Sequence, residues 1–191
     1  VYAAARTRFD KEHALDRTSD HLILLCENET GYKNLVQLVT KANLEGFYHR
    51  PRVDEELLRE YSDGLICLSG CIAGKVPRLI LAGEYERAKA AALFYREIFG
   101  EHNYFIEVQN HGIREELNVL PKLIRLSRET GIPLAAANDA HYITKEDSSM
   151  QNVLLCIQTG RTIEDNSGMG FETEEFYLKS TEEMAELFAA V

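Results

Sequence analysis

Apolar and polar positions follow two periods along the chain. Short apolar runs bounded by turn residues lie at 21–26, 65–68, 104–108 and 134–137, and read as buried strands. Between them the period lengthens to that of a helix. Leu35, Leu38, Val39 and Ala42 fall on one face behind Thr30, a plausible N-cap. Asp54 can cap a short helix over 55–61. Residues 72–81 look helical with Pro77 as a defect, and Tyr85, Ala88, Ala92, Tyr95 and Phe99 mark a helix over 84–99 that Gly100 stops. A further helix should run to Thr130, with Pro121 in its first turn or kinking it. Met150, Val153, Leu154 and Ile157 give an apolar face to 145–157, 176–178 is a short extended piece, and Ser180 with Glu183 forms a capping box for the last helix. Residues 5–20, 46–54 and 159–173 lack either period and read as loops. The first nine residues read as a strand end entering a loop. The alternation predicts an α/β fold with a mostly parallel sheet, open or closed into a barrel, in one domain over 1–191.

Composition narrows the class. The 191 residues are 45% hydrophobic and 27% charged, ordinary for a globular domain. No run has the length of a membrane span and no secretory signal is evident, so no membrane partner is expected. Cys26, Cys67, Cys71 and Cys156 form no CxxC pair, so free thiols in a reducing cytoplasm are expected. The formal charge of −10 argues against nucleic-acid binding through a general field, but leaves room for a local basic groove. The chain opens on Val1, and is expected to be part of something longer.

Candidate chemistry gathers where strands end. Residues 133–142 read Pro-Leu-Ala-Ala-Ala-Asn-Asp-Ala-His-Tyr. Strand alternation would point Asp139 and His141 the same way, with small Ala135 and Ala137 behind them. A carboxylate and an imidazole there make half of a metal site, an acid/base pair or a solvated strand end. The other strand ends read Ser69-Gly70-Cys71 and Asn110-His111-Gly112, and His21 opens the first strand. In parallel α/β folds such ends share one side. Each residue also has a plainer reading: Cys71 as a small buried hydrophobe, His111 as a surface turn residue, His21 as a satisfied core histidine. His13, His49 and His102 lie in charged loops and read as solvated.

The segments HLILLCENETGYKNLVQLV, GFYHRPRVD, EYSDGLICLSGCIAGKVP, FIEVQNHG, IPLAAANDAHY and FYLKSTEEMAELF together resemble the PHP (polymerase and histidinol phosphatase) domain of the bacterial replicative DNA polymerase III alpha-subunit family. The resemblance implies a PHP-type distorted (β/α) barrel with a divalent metal cluster at one rim: zinc, manganese or magnesium. The family's later ligands fall on His21, Cys71, Asp139 and His141. His111 lies in the family's Asn-His-Gly turn, where the resemblance implies that it supports the ligands together with Asn138 or is a candidate catalytic contact to substrate. The family's earlier ligands, an HxH strand, a Thr-Asp-His turn and a Glu, are not in this sequence, so the barrel is expected to be incomplete at its N-terminus. Lys75 stands where the family usually has an acidic residue. With the strand-end positions, this predicts that Cys71, Asp139 and His141 approach one another at one rim, with His21 on that side.

The function so implied is part of a DNA-directed DNA polymerase, a nucleotidyltransferase. Its PHP domain would be a metal-dependent 3′–5′ exonuclease, or a scaffold docking a separate proofreading exonuclease subunit. A free-standing phosphoesterase of the histidinol-phosphatase type is the remaining alternative. Implied partners are the other polymerase domains and a DNA primer–template. The 191 residues alone hold no polymerase aspartates and only part of the metal set. An exposed sheet edge would favour association between copies.

Overall fold

The computed structural model describes residues 1–163, 171–189 and 191. Its elements run β1 (Tyr2–Ala4), α1 (His13–Asp16), β2 (Ser19–His21), β3 (Ile23–Cys26), α2 (Glu29–Leu44), β4 (Phe47–Tyr48), β5 (Arg50–Val53), α3 (Glu55–Glu60), β6 (Leu65–Leu68), α4 (Lys75–Leu81), α5 (Tyr85–Phe99), β7 (Tyr104–Val108), α6 (Arg114–Thr130), β8 (Leu134–Ala136), a 3₁₀ turn (Lys145–Asp147), α7 (Ser148–Thr159) and α8 (Thr181–Leu187). The chain divides into two compact units. Unit 1 comprises Val1–Glu107 and Pro121–Ala135; unit 2 comprises Val108–Leu120 and Ala136–Val191.

The α/β class is as expected, but the sheets are mixed. One sheet has the order β2-β1-β5-β4 and the other β3-β6-β7-β8. Parallel ladders join β1 to β5 and β6 to β7; antiparallel ladders join β1 to β2, β4 to β5 and β3 to β6. The run at 21–26 is therefore not one buried strand. It breaks at buried Leu22, so that His21 ends β2 in the first sheet and Ile23 opens β3 in the second. β3 is an edge strand, and Ile23 and Leu25 stay partly exposed.

The segments read as loops carry structure held by long-range bonds. Residues 46–54 form the β4–β5 hairpin, turned at His49 with φ of 59°. Arg52 of β5 is wholly buried and donates to the carbonyls of Gly46, Asp16, Arg8 and Asp10. Arg8 pairs with Glu45, Asp54 and Glu56 at 2.7, 3.0 and 2.8 Å. These two arginines tie residues 5–20 to the rest of unit 1. A planar guanidinium with five donors can satisfy several carbonyls at once, which a point-charge lysine cannot.

Local signals placed the helices with few corrections. The N-cap of α2 is Asn28, which accepts from the Gly31 amide, rather than Thr30. Asp54 caps α3 through the Leu57 amide, as expected. Helix α4 begins at Lys75, so Pro77 sits in its first turn, where no N–H is needed, and is no defect. Pro121 instead lies inside α6, where the boundary between the units falls. The core of unit 1 includes Leu38, Val53, Leu57, Leu58, Leu65, Val76, Ile80, Ala92, Tyr104 and Ile106, each side chain fully or almost fully buried. Full burial of a large apolar side chain is worth roughly 1.5–3 kcal/mol.

Unit 2 departs from the periodic reading. The apolar face of α7 is open: Met150, Leu154 and Ile157 are all more than half exposed. Ser180 and Glu183 form the expected capping box on α8. The extended piece at 176–178 bridges to Tyr142 through Tyr177. The loop expected over 159–173 is described only at its ends; residues 164–170 lie outside the described residues. Among the described residues no helix is long and apolar enough to cross a membrane.

Candidate functional site

In unit 1, β2 ends at His21 and β6 runs into the Ser69–Gly74 turn. The His21 amide donates to Ala73 O at 3.0 Å, and His21 bridges Gly74 in parallel. The turn closes tightly on the histidine backbone. Gly70 has φ of +81°, and a Cβ added there would lie 2.7 Å from His21 O. That approach brings Cys71 Sγ to 3.8 Å from His21 Nδ1, across 50 residues of sequence. Beside this pair Asp20 is buried, with Arg78 Nη2 2.7 Å from its Oδ1. Burial pushes the Asp20 carboxyl up, against the opposing pull of Arg78, Lys75 and His21.

In unit 2, Asp139 and His141 lie together, but not as neighbours on one strand face. The strand has ended, and the turn marked by the Ala140 N–H to Asn138 O bond sets their approach. His141 Nε2 is 3.4 Å from Asp139 Oδ1, with the side chains 35% and 51% exposed. The His141 ring leans on Phe171 at 4.5 Å, and its amide donates to Phe176 O.

His111 organises this loop from below. It is 1% exposed, so it is not the surface turn residue that its sequence position suggested. Its Nδ1 faces Glu116 Oε1 at 2.9 Å, while its own amide donates to Glu116 Oε2 at 2.6 Å. The carboxylate favours a proton on Nδ1, leaving Nε2 to accept from the Asp139 amide at 3.2 Å. Asn138 Oδ1 also lies 3.2 Å from Nε2, and Asn138 Nδ2 donates to Tyr177 O. The ring stacks on Phe176 at 4.3 Å and 3°. Sequence reasoning missed Glu116; the signal was an acidic residue in the first turn of the helix after Asn-His-Gly.

The sequence-predicted ligands thus occur as two pairs, His21 with Cys71 and Asp139 with His141. Among the described residues no group of three or more metal-ligating side chains comes together. The pairs nonetheless fit metal donors. Two donors on one tetrahedral ion, bound at roughly 2.0–2.3 Å, lie about 3.4–3.6 Å apart. The observed 3.8 and 3.4 Å are near that edge length.

The profile of the PHP domain matches residues 2–111, which include His21, Cys71 and His111. The chain belongs to the PHP domain family. This PHP chain is 52% identical over 189 residues to the DNA polymerase III subunit alpha of Treponema pallidum (strain Nichols), covering 98% of the chain and 16% of that protein. It is 48% identical to the subunit of Borreliella burgdorferi, with the same coverage. To that of Thermus aquaticus it is 44% identical over 186 residues, 96% of the chain and 15% of the relative. The PHP chain therefore spans about a sixth of the length of these relatives. The alignments reach past residue 111, so the resemblance read from the motifs extends through nearly the whole chain.

Proposed function

We propose that this chain is one PHP-type domain, with the barrel fold of that family, within a bacterial DNA polymerase III alpha subunit, and that it serves metal-dependent 3′–5′ removal of primer ends. The reading is carried by the two donor pairs near metal-edge spacing in a chain so similar to those subunits. His21, Cys71, Asp139 and His141 would hold divalent ions, and the thiol–imidazole pair suits zinc best. A bound ion would supply Lewis-acid polarisation of the phosphodiester and stabilise charge on the leaving oxygen. The protein's own part is positional. Glu116 orients His111, and His111 fixes the Asn138–Asp139 backbone, as outer-shell partners of metal ligands do. The setting is the cytoplasm, and the primer–template reaches the site through the rest of the polymerase.

The test uses the polymerase subunit carrying this segment, a mismatched primer–template and manganese. Asp139→Asn should slow end removal at least roughly tenfold and leave primer extension intact. An unchanged rate sinks the catalytic reading. The 191-residue chain by itself should show neither primer extension nor robust end removal. A scaffold role is the second reading, favoured by the exposed apolar face of α7. It predicts that Ile157→Glu, and not Asp139→Asn, weakens association with a polymerase domain or proofreading subunit.

A further inference from the structure

In unit 2 the segment 173–178 lies against the loop that carries Asp139 and His141. Thr173 Oγ1 donates to His111 O at 2.6 Å, and Asn138 Nδ2 donates to Tyr177 O at 2.8 Å. The His141 amide donates to Phe176 O at 2.8 Å, and the Leu178 amide returns to Tyr142 O at 3.0 Å. Tyr142 and Tyr177 form a parallel bridge, and along such an extended piece successive side chains point opposite ways. Tyr177 turns outward to Glu183, and Phe176 turns inward, where it is 6% exposed. Its ring there has two near-parallel neighbours, His111 at 4.3 Å and 3° and Phe171 at 4.3 Å and 29°. It meets His141 edge-on at 5.9 Å and 76°. We propose that Phe176 is a positioning residue for the Asp139–His141 donor pair. Its carbonyl sets the His141 backbone. Its ring sets the edge of the His141 imidazole and the tilt of His111, which in turn holds the Asp139 amide.

The chemistry of the ring suits this task. Both nitrogens of His111 are engaged, Nδ1 with Glu116 and Nε2 with the Asp139 amide. Those bonds lie near the imidazole plane, and stacking restrains the direction they leave free. At His141 the requirement is different. An aromatic wall orients an imidazole without occupying its nitrogens, which a hydrogen-bonding partner would do. Among the described residues Phe176 is the aromatic side chain in ring contact with both histidines. The consequence for metal binding rests on the proposed role of Asp139 and His141; the packing does not.

The test uses the polymerase subunit carrying this segment. Zinc affinity is read by competition with a chelating dye, counting the sites that Asp139→Asn removes. Phe176→Leu keeps an apolar side chain but loses the plane, and should weaken that affinity at least roughly tenfold. Phe176→Tyr keeps the ring and should stay within about threefold of the unaltered subunit. Cys156→Ala, a buried change on α7, lowers stability away from these rings and should stay within about twofold. The second readout needs no metal. In EDTA, hydrogen exchange at the Asp139 and His141 amides should quicken at least roughly tenfold in Phe176→Leu and not in Phe176→Tyr. The proposal is overturned if Phe176→Leu leaves either readout unchanged, if Cys156→Ala weakens zinc as much, or if the tyrosine variant behaves like the leucine one. If Asp139→Asn removes no zinc site, the metal reading fails, and the exchange at these two amides alone decides the positioning.

Discussion

Unit 1 and unit 2 hold their candidate donors by different means. Unit 1 buries a large set of leucine, isoleucine, valine and tyrosine side chains, and fastens its N-terminal segment to that core with Arg8 and Arg52. Among its described residues unit 2 buries few large apolar groups, Val108, Val119 and Phe176 among them, and leaves the apolar stripe of α7 open. Its shape near Asp139 depends on a buried polar pair, His111 with Glu116. Where apolar burial is thin, a satisfied polar network must specify geometry, and losing one member costs more than the bond itself.

The largest expected effect tests the arginine fastening. Arg52→Ala should destabilise the chain by about 4 kcal/mol in urea unfolding, because four carbonyls lose a buried charged donor. Arg52→Lys should recover little of it. A cost below about 1 kcal/mol would mean that the N-terminal segment is held by packing instead.

Next comes His111→Ala. It removes the Nδ1 donor from the buried Glu116 carboxylate and leaves only the residue-111 amide, at a cost of about 2 kcal/mol. Hydrogen exchange should show protection lost at the Asp139 and His141 amides while those of β6 and β7 keep theirs. Uniform loss across both units would erase the contrast between them.

A smaller effect concerns pH. Lys89 and Arg125 hold the Glu129 carboxyl at about 2, below its ordinary 4.5. A depressed carboxylate stabilises above its unfolded value and loses that contribution as pH falls from about 4.5 toward 2. Lys89→Ala with Arg125→Ala should flatten the stability–pH curve over that acid range and leave its neutral plateau nearly level. The smallest effect is expected on α7. Leu154→Gln should change stability by no more than about 0.5 kcal/mol, as at an exposed position. A loss above about 2 kcal/mol would place that face in a core.

What was legible in the sequence was what neighbours decide. The bounds of β6 and β7, the Asp54 cap and the Ser180–Glu183 box depend on residues a few positions apart, and they were read correctly. Strands β2, β4 and β5 were missed, and β1 was read only as a strand end, because their segments lack apolar alternation and their surroundings are fastened by Arg52 and Arg8 to groups more than thirty residues away. Periodicity also overstated burial. It showed that α7 has an apolar face, but not that the face stays open. At the candidate site, Cys71, Asp139 and His141 were expected to approach one another with His21 on that side; Cys71 instead pairs with His21, and the strand that delivers His21 was misassigned. Asp139 and His141 do lie together, although a turn and not a strand face brings them there. The burial of His111 depends on Phe176, far along the chain, which no local pattern announces.

The spacing of the two donor pairs along the chain has a thermodynamic result. His21 and Cys71 meet only after 50 residues have closed a loop, so that pair does not exist in the unfolded chain. Asp139 and His141 are near neighbours in sequence and remain so when the chain is denatured. An ion that binds only the native state adds its full linkage free energy to folding, while one that also binds the unfolded chain adds less. Metal held through the first pair therefore raises the melting temperature, whereas metal held through the second pair alone leaves it nearly where it was.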